Sequence, residues 1–278
     1  MKNAFFAVVL GVAAFASFSV PAIAAPKFKA IAFYRGRDDL AHISFVHEAN
    51  LWFPKMAEKY GFAYQATTNW DELNSRFLSD YQVVIFLDTR PEDPAQRMAF
   101  QQYMEAGGAW LGFHFSAFAL TPSGYPQNWD WYHNDFLGSG EYVSNTWRPT
   151  SAILRVEDRS HPSTAGLPAI FKSAPNEWYR WQNDLRTNAD IKILLSIDPA
   201  SFPLGTGPKP YEIWHRGYYP VVWTNTRYRM IYVNMGHNDM DYEHKYDQSN
   251  RTLSFTFKNE IQNRLILNSL LWLGSRAK

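Results

Sequence analysis

Two uninterrupted apolar runs, Val83-Val84-Ile85-Phe86-Leu87 and Ala109-Trp110-Leu111-Gly112-Phe113, constrain this chain more than any other feature. A strand with one wet face alternates apolar and polar residues, so a continuous run reads as a strand covered on both faces, as in parallel sheets. Between the two runs, Pro94 starts a helix in which Ala95, Ala99 and Tyr103 recur every four residues, with Met98 and Ala106 alongside. Gly107-Gly108 ends it. Upstream, Phe28 to Tyr34 is a β-like run. Helix-favouring sequence follows from Ser44 to Tyr60, stopping at Gly61, with Pro54 as an expected kink or break. Strand and helix alternate through this half, which predicts an α/β fold: a flavodoxin-like, doubly wound, mainly parallel sheet with function at the strand C-termini.

From Gln127 to Arg186 the sequence is rich in Trp, Pro, Asn and Gly and reads as long loops with short helices over one end of the sheet. Ile191 to Ile197, Pro220 to Trp223 and Met230 to Val233 are further strand candidates. Phe257, Ile261 and Leu265 begin a closing helix that reaches Leu273 before Gly274. With no repeat, low-complexity tract or linker, residues 25–278 are expected to form a single domain. Residues 1–24 read differently. Lys2, the apolar stretch Ala4 to Val20, Pro21 and the small-residue cluster Ala22-Ile23-Ala24-Ala25 make a secretory signal peptide with an A-x-A site. A short stretch rich in Ala and Gly and broken by a proline is a poor membrane anchor. Cleavage after Ala24 leaves 254 of the 278 residues, and predicts a periplasmic or secreted protein with no stable membrane association.

The signal carries Lys2 and no acid, so the chain's 27 basic residues fall to 26 against 26 acidic ones. That balance argues against nucleic acid or anionic membrane surfaces as partners. There is no cysteine, hence neither a disulfide nor a thiol nucleophile. Aromatic residues make up 17%, with 11 Trp, and several lie beside amides and carboxylates, as in Asn128-Trp129-Asp130-Trp131-Tyr132. Such rings suit stacking on sugar faces, although large aromatics serve equally as core.

His114 follows the second apolar run directly, after a glycine that lets the backbone pack closely. This is the arrangement of a nucleophile elbow, with His114 where hydrolases carry Ser or Cys and Ser116 two positions on. A histidine there is a general acid or base, a metal ligand, a hydrogen-bond donor to substrate, or a structural tie. His237, in Met235-Gly236-His237-Asn238-Asp239, follows another strand candidate and belongs at the same edge, with Asp239 and Asp241 read as turn residues. His42 lies between the first strand and the first helix, with Ser44 as a capping candidate. Glu177 sits inside Asn176-Glu177-Trp178-Tyr179, where desolvation would raise its pKa toward the range of an acid catalyst, unless it is an exposed loop residue. His161-Pro162-Ser163-Thr164 reads as a turn, and His133 as a helix-surface residue, with a place in a cleft wall as the less common case. No HExxH, phosphate loop or Cys/His zinc pattern is present, and no cofactor is evident. A zinc site assembled from His42, His114, His237 and a carboxylate is the lesser alternative.

Taken in order, His42-Ile43-Ser44, Gly107-Gly108 with Gly112-Phe113-His114, Trp129-Asp130-Trp131-Tyr132, His161-Pro162-Ser163-Thr164, Glu177-Trp178-Tyr179, Pro220-Val221-Val222-Trp223 and Gly236-His237 form a pattern. From about Lys29 to Gly274 the chain resembles the trehalose-utilisation, or ThuA-like, proteins, whose fold is related to class I glutamine amidotransferases. The resemblance implies a flavodoxin-like domain with His114 in place of the amidotransferase cysteine, so glutamine hydrolysis is not expected. It also implies a role in using trehalose and related disaccharides, including routes through 3-keto sugars. The sequence departs from the family pattern at Ala41, Asn176 and Tyr219.

The expected protein is an exported enzyme acting on a small-molecule carbohydrate. His114 and His237 move protons, Glu177 is a second acid or base, and His42 completes the set. Trp129, Trp131, Tyr132, Trp178 and Ser116 then contact the sugar. Two alternatives stand beside it: a non-catalytic sugar-binding or accessory module, and a metal-dependent hydrolase. Convergence separates them, because an enzyme must bring His42, His114, Glu177 and His237 to one place while a module need only gather aromatics.

Overall fold

The computed structural model describes residues 25–37, 39–121, 123–146, 149–202, 217–238 and 254–275. The expected signal peptide (1–24) and the turn residues Asp239 and Asp241 lie outside them. Four helices and eleven strands are described: β1 Lys29–Phe33, α1 Leu40–Tyr60, β2 Ala63–Thr67, α2 Ser75–Leu78, β3 Val83–Phe86, α3 Pro94–Glu105, β4 Ala109–Phe113, β5 Tyr142–Asn145, β6 Ile153–Val156, β7 Ile170–Lys172, β8 Tyr179–Trp181, β9 Ile191–Ile197, β10 Tyr219–Asn225, β11 Arg229–Val233 and α4 Glu260–Gly274.

Nine strands form one sheet in the order β2-β1-β3-β4-β11-β10-β9-β6-β7, while β5 and β8 pair separately as an antiparallel ribbon. The first five are parallel, and β10, β9, β6 and β7 continue the sheet with antiparallel pairings. The parallel half has the flavodoxin strand order, and the chain is an α/β protein of that kind. The apolar runs are uninterrupted because each face of the sheet is covered. Ala30, Ala32, Val83, Ile85, Leu111 and Phe113 pack with Phe45, Ala49 and Phe53 of α1 and Leu265, Ile266 and Leu270 of α4. The alternate residues Ile31, Phe33, Val84, Phe86 and Trp110 pack on the opposite side with Leu78 of α2 and Phe100 and Met104 of α3.

Several expectations change. The first helix begins at Leu40, four residues before Ser44, because Asp39 is its cap and accepts from the Ala41 N–H at 2.8 Å. Ser44 is buried inside the helix, where its Oγ accepts from the Ser254 N–H. Pro54 does not end the helix, which continues to Tyr60. The segment from Gln127 to Arg186 is more ordered than a loop, since it carries β5 to β8, all of them short. The closing helix includes Gly274 and is capped at Ser275.

Candidate functional site

β4 leaves the sheet at Phe113, and His114 takes φ 40°, the only positive φ among the described residues other than glycine. Non-glycine residues rarely occupy this left-handed region, so the turn is a strained elbow held by its surroundings. Two contacts hold it. The His114 carbonyl accepts from the Tyr232 hydroxyl at 2.8 Å, and the imidazole lies 3.9 Å, centroid to centroid, from the Tyr179 ring. Gly112 is required by packing, because a Cβ there would stand 2.0 Å from the Trp110 ring and 2.7 Å from Ser116 Oγ.

Three further segments meet the elbow. The first turn of α1 brings His42, with ring centroids 5.9 Å from His114 and 5.2 Å from His237. The chain leaving β11 brings His237, its ring 5.3 Å from that of His114. Gly236 makes this approach possible: its φ is 140°, and a Cβ would stand 3.2 Å from that of His114. The residues before β8 bring Glu177, whose Oε2 is 3.4 Å from His114 Nε2 and 3.2 Å from His237 Nδ1. Its Oε1 accepts from Asn145, and its N–H donates to the His237 carbonyl at 2.7 Å. Asn176 fastens the two segments together. Its Oδ1 accepts from the N–H groups of Gly236 and His237, while its Nδ2 donates to the carbonyls of Asn234 and Glu177. His42, His114, Glu177 and His237 therefore converge.

All four are buried, His42 least so at 9% exposure. Burial pushes the His114 pKa down to about 4 and lowers that of His42, so both rings are neutral at neutral pH. Burial alone would raise Glu177, as the sequence predicts, but the surrounding histidines, His237 foremost, outweigh it and hold the carboxyl below its usual value. Of the two roles expected for Glu177, acid or base, this electrostatic setting favours the base. One nitrogen from each of His42, His114 and His237 lies within 4.8 Å of the others, the spacing of a candidate metal centre.

A cleft of about 240 Å³ reaches the cluster at His42, lined also by Asp39, Asp88, Thr89, Phe115, Tyr125 and two arginines. It opens beyond the carboxyl ends of β1 and β3, where the flavodoxin strand order reverses and ligands bind. Sequence reasoning missed Asp39, Asp88, Phe115 and Tyr125. Asp88 had a signal, as the first polar residue after Val83–Leu87. Its carboxylate accepts from the N–H groups of Arg35 and Gly36, yet burial raises its pKa.

The expected sugar-stacking residues are elsewhere. Trp129, Trp131 and Tyr132 pack with Phe100, Trp110 and Phe136 on the α3 side of the sheet, where their faces meet other rings. Trp178 is fully buried in the opposite core, with its Nε1 donating to the Thr150 carbonyl. Ser116 is buried beneath the elbow, its carbonyl accepting from Tyr132. His133, expected on a helix surface, is fully buried in a single π-helical turn, Trp131–Phe136. His161 is a turn residue whose Nδ1 accepts from the Ser163 N–H.

A family model described as trehalose utilisation, ThuA, matches residues 30–250. The chain is 36% identical to a ThuA-like protein from Bacteroides uniformis, over 92% of this chain and 95% of that one, with a TM-score of 0.76. A ThuA-like protein from Parabacteroides merdae shares the fold at 18% identity, over 90% of each chain, with a TM-score of 0.58. No curated protein matches.

Proposed function

Because the chain belongs to the trehalose-utilisation (ThuA) family, we propose that the histidine cluster and its cleft transform a carbohydrate by acid–base chemistry. The observation that carries this reading is the convergence of His42, His114, His237 and Glu177 at the edge of the parallel strands. A sugar-binding module has no need of three buried imidazoles around a carboxylate. Nor are Trp129, Tyr132 and Trp178, buried in the core, free to serve one.

Titratable groups whose surroundings push their pKa values apart mark acid and base roles. Glu177 is held down by its histidines and suits a base, whereas Asp88 is raised by burial and suits a proton donor at the cleft wall. His114, neutral with a pKa near 4, accepts rather than donates at neutral pH. Sugars already oxidised to a ketone fit such modest groups, because the carbonyl acidifies the neighbouring C–H and brings elimination or isomerisation within reach. Phe115 and Tyr125 offer apolar surface for one sugar face. The N-terminal stretch with Pro21 and Ala22-Ile23-Ala24-Ala25 supports an exported protein, meeting such sugars outside the cytoplasm.

Turnover of trehalose, related disaccharides and their 3-keto forms tests this reading. Replacing Glu177 with Gln, which keeps the shape and removes the base, is expected to lower turnover by about 10²–10⁴-fold. Full activity in that variant would overturn the role of the carboxylate.

A further inference from the structure

His42, His114 and His237 share an electrostatic problem that proton transfer does not solve. Nε2 of His42, Nδ1 of His114 and Nε2 of His237 are buried without a hydrogen-bond partner in the protein, and the other nitrogens of His114 and His237 meet only Glu177 Oε2, at 3.4 and 3.2 Å. A buried polar group left so costs about 1–3 kcal/mol. Three such rings converging on one point multiply that cost. Moreover, the three rings are presented by independent segments, the start of α1, the elbow after β4 and the exit of β11, and Asn176 pins the last of these in place.

We propose that His42, His114 and His237 bind one divalent first-row transition-metal ion, zinc being the best fit, with Glu177 as the carboxylate that orients His114 and His237. Three nitrogens no more than 4.8 Å apart stand at most about 2.8 Å from a common centre, 4.8 Å divided by √3. Zinc–imidazole bonds of about 2.0–2.1 Å then need each ring to close in by about 0.7 Å, a side-chain adjustment. Neutral imidazoles are the required ligand form, and an all-nitrogen set favours zinc and its neighbours over calcium or magnesium, which take oxygen. Glu177 Oε2 touches one nitrogen of His114 and one of His237. A proton held between the carboxylate and either ring fixes that ring's tautomer, as in the carboxylate–histidine pairs usual beside a bound metal. Three protein ligands leave a position open, and the cleft at His42 gives a sugar oxygen access to it. This inference rests on the carbohydrate reading of the cleft. With the ion in place the imidazoles act through it as a Lewis acid on a carbonyl or hydroxyl oxygen, and proton transfer falls to the carboxylates.

The test uses the mature chain without an affinity tag, stripped with a chelator and titrated with zinc by calorimetry and with cobalt(II) by visible absorption. One ion per chain and the visible bands of nitrogen-ligated cobalt are expected. His42→Ala, His114→Asn and His237→Ala should each weaken binding more than 100-fold, and Glu177→Gln by about 10–100-fold. Failure of the wild-type chain to take up one ion, or affinity unchanged in folded histidine variants, would overturn the proposal. If the variants do not fold, the wild-type cobalt spectrum decides alone, its absence counting against the site. Sugar turnover that persists in stripped protein would overturn the ion's part in the reaction and leave the carbohydrate reading intact. Tight zinc binding by a protein that turns over no sugar would uphold the ion and refute that reading.

Discussion

At the scale of single residues, burial decides what each histidine can be. His133 is fully buried with neither ring nitrogen bonded to the protein, and burial, with Arg90 and Arg97 behind it, pushes its pKa down to about 3. In the unfolded chain the same ring takes up a proton near pH 6.5. The native state does not accept that proton until pH falls toward 3, so the titration of His133 costs no stability above about pH 6.5 and progressively more between there and pH 3. Replacement by Leu, which removes both orphaned nitrogens at similar size, should leave unfolding at pH 7.5 near that of the wild type or slightly improved. The two unfolding free energies should then diverge as pH is lowered to 4.5, the wild type falling faster. Parallel pH profiles would show that His133 takes up its proton as readily in the native state as in the unfolded chain. His114, His237 and His42 were legible in the sequence because strand ends are where an open α/β sheet places its ligands. Their burial was not, since a histidine looks the same on paper beside solvent or beneath a ring. The packing of the tryptophans was hidden for the same reason: composition cannot distinguish an open ring from one already covered by Phe100 or Phe136.

Among the elements, the elbow after β4 concentrates the design. Tyr232 and Tyr179 hold the left-handed backbone of His114, and Gly112 lets Trp110 and Ser116 fill the space behind it. Gly112→Ala should therefore destabilise the protein by about 1–3 kcal/mol or more in denaturant unfolding, through overpacking beneath the site. A stability change within about 0.5 kcal/mol, the usual range for a harmless surface substitution, would mean that the elbow has room to spare. The sequence exposed β3 and β4 because both faces of each are buried, which forces apolar residues at every position. It hid β2, an edge strand of partly exposed residues. It also hid β5 to β8, whose three or four residues each are too few to show a period. The early start of α1 was missed because Asp39 caps it with a local side-chain bond. That shift moves His42 from a loop into the first helical turn, where its ring faces the cluster.

For the whole molecule, the parallel half supplies the crevice and the remainder supplies the carboxylate. β1, β3, β4 and β11 run level, with Phe33 paired to Phe86, Phe86 to Gly112 and Phe113 to Val233. Their exits therefore present His42, Asp88, His114 and His237 along one edge. Glu177 comes from the segment leading into the separate β5–β8 ribbon and is tied to His237 by a backbone hydrogen bond. No periodicity links these segments in sequence, so Glu177 could be named as a candidate but not placed. The export reading has its own check: N-terminal sequencing of protein recovered from outside the cytoplasm should begin at Ala25 or Pro26, and an intact Met1 on cytoplasmic protein would refute it. Whether the strand-edge histidine cluster is the reacting centre for a carbohydrate is decided by turnover of disaccharides and their 3-keto forms, measured with thermal unfolding for the wild type and His114→Asn. Asparagine tolerates the left-handed backbone at this position, so the substitution removes the imidazole and spares the turn. Turnover by the wild type, a loss of at least about 10²-fold in the variant, and a melting temperature lowered by no more than a few degrees are expected. Wild-type rates in a folded His114→Asn protein would contradict that role of the cluster.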